Sequence, residues 1–225
     1  ARNGELRAVA LSVANAVDPD TSHILALPDT PFPEGLLNPA EIFADLISAP
    51  LLVDNDINCA ALAESRDGDA IGVPDFAYLF VGAGLGQGLY VGGQLVRGAH
   101  GLAGEIGYLA TQVGVDRYAT LVGALQVAGL GRGESSALDV DAVAAWLEAG
   151  HSSRSAKPAA AVEALGRAIG QIIVDTCAVV DPDLVLLGGP LGRQPALPSL
   201  LSVLLPHPKP VAESDSLVPG HLLGR

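Results

Sequence analysis

The sequence predicts an α/β fold with a mixed sheet and a small-molecule cleft at its strand ends. Three observations carry that expectation. Apolar, β-type segments alternate along the chain with segments of helical period. The run from Phe76 to Tyr108, FAYLFVGAGLGQGLYVGGQLVRGAHGLAGEIGY, reads as strand, glycine loop, strand, a tight turn at Gly92-Gly93, and strand, which adds antiparallel pairing to the parallel kind. Within it Gly82, Gly84, Gly86 and Gly88 recur at every second residue, a spacing that turns backbone sharply or brings it close to a neighbour.

The elements follow in order. Leu6 to Val17 is apolar and β-rich, a buried strand running into the turn cluster Asp18-Pro19-Asp20-Thr21-Ser22. His23 to Leu27 reads as a short strand, and Asp29 to Pro39 as a proline-rich surface connection. Asn38 caps a helix that has Pro39 at its first position and runs to about Ile47. Pro50 to Val53 is a strand ending in Asp54-Asn55-Asp56, Ile57 to Ser65 a helix, and residues 66–75 a loop. Beyond the glycine-rich region, helices are expected from Asp116 to about Ala128, from Asp139 through Trp146, and from Lys157 to Val180. In the last of these Val162, Leu165, Ile169, Ile172 and Ile173 share one face. Asp183 to Leu187 is an apolar strand ending in the loop Gly188-Gly189-Pro190, and Leu200 to Leu205 is helical.

Composition narrows the function classes. Of 225 residues 49% are hydrophobic and 16% charged, which supports a sizeable core and argues against disorder. Twelve basic against 25 acidic residues give a net charge of −13, so this chain itself lacks the basic surface that nucleic acid requires. No run is apolar enough to span a membrane and no signal peptide is visible, so a cytoplasmic location is expected. Cys59 and Cys177 are expected to be buried free thiols. The chain starts at Ala1 and contains no methionine, so further sequence upstream is expected.

Three constellations could carry chemistry, each with a plainer alternative. Asn55 and Asp56 stand at a strand end, where ligands gather in open α/β sheets; a carboxylate there accepts a hydroxyl proton and an amide holds a neighbouring hydroxyl. The same residues are also good helix N-caps. The loop VGAGLGQG could cradle a phosphate or a sugar hydroxyl with its N–H groups, or could simply pack closely in a hairpin; it lacks the Lys-Ser/Thr of a P-loop. Glu105, between Gly104 and Gly107, could accept two sugar hydroxyls or be a solvated surface acid. No His or Cys has the spacing of a metal site.

Taken together, the ordered segments DNDINCAALAE, YLFVGAGLGQGLYVGGQLVRGAHGLAGEIGY and DPDLVLLGGPLG resemble the ROK family of repressors, open reading frames and sugar kinases. The resemblance implies the two-domain actin/hexokinase-like (ribonuclease H-like) fold with part of its N-terminal region missing and a sugar cleft between the domains. Residues 1–54 would then be the remainder of the smaller domain and 55–225 the larger one, with the last residues returning to the small domain. Asn55 and Asp56 match the family's sugar-binding asparagine and catalytic aspartate, and Glu105 the acid that holds sugar hydroxyls. Gly82, Gly84 and Gly86 match the second phosphate loop, and Gly188-Gly189 the adenosine-side loop. The stretch from Val113 to Tyr118 looks like the remnant of a Gly-Cys-Leu-Glu-x-Tyr segment, with Asp116 in place of another sugar-binding glutamate.

The departures from the family pattern bear on function. The first phosphate loop, Asp-x-Gly-Gly-Thr, is absent. Ala83 replaces the threonine of the kinases' Gly-Thr-Gly. Tyr108, expected beside the sugar, stands where the family's zinc-site histidine would be, and Gly114 stands where a zinc-binding cysteine would fall, so structural zinc is not expected. Ala14-Asn15-Ala16-Val17 replaces a common Pro-Gly pair ahead of a valine. The expectation is therefore the sugar-binding part of a transcriptional regulator, without cofactor. It would act as a homodimer and reach operator DNA through a helix-turn-helix module outside this chain. The alternative is an ATP- and Mg²⁺-dependent sugar kinase with Asp56 as general base.

Overall fold

A computed structural model describes residues 6–27, 38–114, 117–133, 137–149, 156–204 and 211–213 of the chain. Its main feature is a five-stranded mixed sheet. Phe76–Val81 (β3) pairs antiparallel with Leu85–Val91 (β4), which pairs antiparallel with Gln94–Val96 (β5). On its other side β3 pairs parallel with Leu184–Gly188 (β8), and β8 pairs parallel with Val211–Glu213 (β9). The turn between β4 and β5 uses Gly92 and Gly93 at φ +59° and +75°, the left-handed geometry that matches strand twist in a two-residue hairpin.

The sheet is covered on both faces, which is why β3 reads as an unbroken apolar run. Ala77, Leu79, Val81, Val185 and Leu187 point into a core built with Ala156–Val179 (α5), Val140–Ala149 (α4) and Ala196–Leu204 (α7). Phe76, Tyr78 and Leu186 point the other way, toward Ile57, Ala60 and Ala61 of Asp56–Asp67 (α2). The α5 face carrying Leu165, Ile169, Ile172 and Ile173 is buried, as its period requires.

Part of the alternating glycine pattern is explained by this layering. Gly86 and Gly88 face α2, and a Cβ at Gly88 would lie 2.6 Å from the Ala61 Cβ, one at Gly86 2.9 Å from Ile57 Cγ1. The helix therefore rests directly on strand backbone. Between them Gln87 points to the opposite face, where its Nε2 donates to Thr176 Oγ1 on α5 at 2.8 Å, a buried polar pair that satisfies itself.

A separate two-stranded parallel sheet joins Val9–Val13 (β1) to Leu51–Asn55 (β2), with Val13 opposite Asn55. Before β2, Pro39–Phe43 (α1) is capped by Asn38, whose Oδ1 accepts from Ala40 N at 3.0 Å; it is shorter than the sequence suggests and gives way to turns. His23–Leu27 does not form a strand. Only Ile24 bridges, to Val17, around the turn held by Asp18 and His23, because a strand needs a ladder of partners and this segment has one rung.

The region expected to be helical from Asp116 to Ala128 is also different. Ala110–Gly114 (β6) and Arg117–Thr120 (β7) form an antiparallel pair with a bulge. Only then does Leu121–Leu125 (α3) begin, capped by Thr120, whose Oγ1 accepts from Gly123 N at 3.1 Å. Hairpin pairing with residues 110–114 overrides the helical pattern at this point. Gly189–Gly192 (α6) is a single turn on the end of β8. Cys59 and Cys177 are not in disulfides and are only half-buried, Cys59 beside Ser12 of β1 and Cys177 packed against the edge of the main core.

Candidate functional site

The end of β2, the start of β4, the start of α2 and the turn after Glu105 surround a cavity of about 550 Å³. Asn15, Asn55, Asp56, Glu105, Gly107 and Tyr108 line one part; Phe80, Ala83, Gly84, Gln126 and Ala137 line another. Of the residues singled out in the sequence, the structure thus brings Asn55, Asp56, Glu105, Tyr108, Ala83, Gly84 and Gly86 to one cavity. Asp116 lies outside the described residues.

The run Asp54-Asn55-Asp56 divides its labour. Asp54 Oδ2 accepts from Arg97 Nε and Nη2 at 2.9 and 2.6 Å, and its Oδ1 accepts from Asn58 Nδ2 at 3.1 Å and from Asn55 N at 2.9 Å. Asn55 is the N-cap: its Oδ1 accepts from Ile57 N at 2.8 Å and Asn58 N at 3.2 Å. Its Nδ2 donates to Asn15 O at 3.0 Å, tying the helix start to the segment after β1. Asp56, the first residue of α2, is left facing the cavity.

Both cavity carboxylates are held above the ordinary range. Burial pushes Asp56 up, against hydrogen bonds from Ile57 N and its own N–H that pull it down. Burial also pushes Glu105 up, and the negative charge of Asp56 adds to it. Glu105 therefore feels the charge of Asp56, with which it shares the cavity. Among the described residues the cavity lining includes no Lys, Arg or His to neutralise them. Such a pair suits a ligand that brings several hydroxyl donors and no negative charge of its own.

Glu105 is placed by glycine chemistry. Its loop leaves β5 at Arg97 and returns through Gly98, Gly101 and Gly104, at φ +77°, +72° and +88°. A Cβ at Gly101 would lie 1.9 Å from Val17 O, and one at Gly104 1.7 Å from Gln87 O, so no other residue fits where this loop lies against backbone. The turn Ile106–Tyr108 follows, with Tyr108 N donating to Glu105 O at 3.2 Å.

The other sequence-marked glycines sort differently. Gly82 N donates to Gly84 O at 3.0 Å, so the loop spends one of its amides on itself, while Gly84 faces open space. Gly188 and Gly189 lie outside the cavity lining. A Cβ on Gly188 would lie 2.0 Å from Tyr78 Oη, and Gly189, at φ +82°, would clash with Val81 O at 2.6 Å. Sequence reasoning missed Asn15, Thr120, Gln126 and Arg97. Asn15 is almost fully buried, its Nδ2 donating to Leu25 O at 3.0 Å. Its only sequence signal was its place in Ala14-Asn15-Ala16-Val17, where the family pattern is broken.

Among the described residues no three His, Cys, Asp or Glu side chains are grouped to hold a metal ion. No helix there is long and apolar enough to cross a membrane.

The ROK family model matches residues 1–123. The chain is 30% identical over 180 residues to the N-acetyl-D-glucosamine kinase of Escherichia coli O6:H1, covering 71% of this chain and 58% of that protein. It is 32% identical over 100 residues to the xylose repressor of Caldicellulosiruptor bescii, covering 44% of this chain and 25% of the repressor. Among solved structures, a ROK family transcriptional regulator, a homologue of the E. coli MLC protein, superposes with a TM-score of 0.66 at 19% identity over 94% of this chain and 59% of that one. The fold is thus that of the actin/hexokinase-like ROK proteins. The chain spans between about a quarter and three fifths of the length of these curated relatives.

Proposed function

The chain belongs to the ROK family, and on that footing we propose that it is the sugar-binding part of a transcriptional regulator rather than a working kinase. The observation that carries this reading is the lining of the cavity. At one end two desolvated carboxylates, Asp56 and Glu105, offer acceptors for sugar hydroxyls. At the other, where the resembling kinases carry Gly-Thr-Gly, the methyl of Ala83 stands in place of a phosphate-facing hydroxyl. With no cationic side chain in the described lining, an uncharged sugar fits better than a sugar phosphate. Tyr108 and, by resemblance, Asp116 complete the sugar contacts. Operator DNA is bound by a module outside this chain, the regulator is a cytoplasmic homodimer, and sugar binding changes operator affinity by coupling the two sites.

One observation favours a second reading, an ATP-dependent sugar kinase. Asp56 sits at the head of a helix with its carboxylate shifted toward neutrality, as a general base for a sugar hydroxyl requires. ATP phosphates would then meet Gly84 and the amides of its loop, and Mg²⁺ held by those phosphates would neutralise developing charge when bound.

Incubating the full-length protein with Mg²⁺-ATP and a panel of hexoses separates the two. The regulator reading expects no ADP release, together with a rise in melting temperature by one uncharged sugar and not by its 6-phosphate, because a ligand of the folded state alone stabilises it. Sustained ADP release that disappears in Asp56→Asn overturns it.

A further inference from the structure

We propose that Arg97 is a positioning residue of the cleft: by clamping Asp54 it holds the loop that carries Glu105 against the helix that carries Asp56. Arg97 stands at the exit of β5, where the loop toward Glu105 begins, and places both Nε and Nη2 on one oxygen of Asp54, at the end of β2. The other oxygen of Asp54 accepts from Asn58 of α2 and from the backbone of Asn55. One carboxylate therefore joins three elements: the β5 exit, the β2 end and the first turn of α2. Asp54 is only 18% exposed and Arg97 40%, so the pair is partly shielded from water rather than a free surface contact.

The loop has a matching anchor at each stage. Ala103 N donates to Arg97 O at 3.1 Å, closing it on its own start. Gly101 rests on Val17 O, beside the β1 segment, and Gly104 rests on Gln87 O of β4, with Gln87 N donating to Gly104 O at 2.9 Å. The glycine contacts fix where the loop lies but supply little attraction. The attraction at the entrance comes from Arg97, whose planar guanidinium suits a carboxylate better than an ammonium does. Glu105 follows Gly104 directly, so the loop's seat sets its distance from Asp56. Asp54, Asp56 and Arg97 are charged groups at this junction, with the half-buried thiol of Cys59 beside them; along the loop His100 acts on Asp18 and Glu105 faces Asp56.

The inference rests on reading the cavity as the ligand site, and its test works without a ligand. In the full-length protein with ¹³C-labelled side-chain carboxylates, NMR titration follows Asp56 and Glu105 individually. Wild type is expected to show Glu105 titrating above an ordinary glutamate. In Arg97→Met the loop loosens, Glu105 gains water and moves from Asp56, and its midpoint falls back toward the ordinary value, while Arg97→Lys keeps most of the displacement. A purely structural role would lower the melting temperature without moving that midpoint. Where Arg97→Met does not fold, Asp54→Asn breaks the same contact from the other side, and the same fall is expected. An unchanged Glu105 midpoint in whichever variant folds overturns the proposal. D-glucose and N-acetyl-D-glucosamine, each added to wild type and variant, are expected to bind the variant about threefold more weakly than wild type, in keeping with a partly exposed pair. If neither sugar raises the wild-type melting temperature while the Glu105 midpoint still falls, the sugar reading fails and the role of Arg97 stands.

Discussion

The contact between β4 and α2 lets one methyl group test how the fold sets the site. Gly88→Ala would place a Cβ 2.6 Å from Ala61 Cβ and 3.0 Å from Ile57 O. Carbon atoms prefer about 3.5–4.0 Å, so strand and helix must part by about 1 Å. Overpacking of this kind costs about 1–3 kcal/mol, a large share of the roughly 5–15 kcal/mol that stabilises a domain. The same retreat carries Asp56, at the first turn of α2, away from Glu105, so hexose affinity should fall along with stability. Ala61→Gly removes the opposing methyl at a helix-propensity cost of about 1 kcal/mol. In Gly88→Ala/Ala61→Gly the two effects should sum to about 1 kcal/mol less than the separate costs, the Ile57 O contact remaining. Urea unfolding of the four proteins, with their m-values compared, measures this cycle. If Gly88→Ala stays within about 0.5 kcal/mol of wild type, as an ordinary surface change would, the argument that these glycines exist to seat the helix is wrong.

Two further expectations follow from the buried polar groups. Burial raises both Asp56 and Glu105, so the folded state keeps their protons to higher pH than the unfolded chain does. Their contribution to stability therefore declines as pH rises from the ordinary carboxylate range through the raised one. Glu105→Gln should accordingly melt higher than wild type at pH 7 without ligand and bind hexose more weakly, with the melting difference closing on acidification; calorimetry across pH that found the variant less stable at pH 7 would contradict this. Thr176→Val leaves Gln87 Nε2 buried without its acceptor, and should cost about 1–3 kcal/mol in denaturant unfolding with little change in sugar affinity.

Much of the fold was legible because its signals are local. The apolar runs of β3 and β8, the period of α5, the Gly92-Gly93 turn and the caps at Asn38 and Asp139 each follow from residues within a few positions of one another. The failures lie where pairing across a turn, rather than a segment's own residue pattern, set the outcome. His23–Leu27 has strand composition but only one bridging partner, and Arg117–Thr120 became a strand through pairing with residues 110–114. The strand Val211–Glu213 is visible only beside β8.

At the site, the sequence by itself determined which chemistry is present: a carboxylate at a strand end, an acid among glycines, and a glycine loop with alanine where the resembling kinases carry threonine. Apart from the family resemblance, which points to Asn55 and Asp56, residue type alone could not say which of Asp54, Asn55 and Asp56 faces the cavity, since all three have the short polar side chains that cap helices. The tertiary structure decided that. Arg97, more than 40 residues away in the chain, takes Asp54, and the helix N–H groups and Asn15 O take Asn55, so the remaining carboxylate, Asp56, is the one left to meet Glu105 across the cavity. The glycines divide in the same way. Composition shows that backbone must come close to something, and only packing shows that Gly86 and Gly88 meet a helix while Gly84 meets open space, because a missing side chain carries no record of its neighbour.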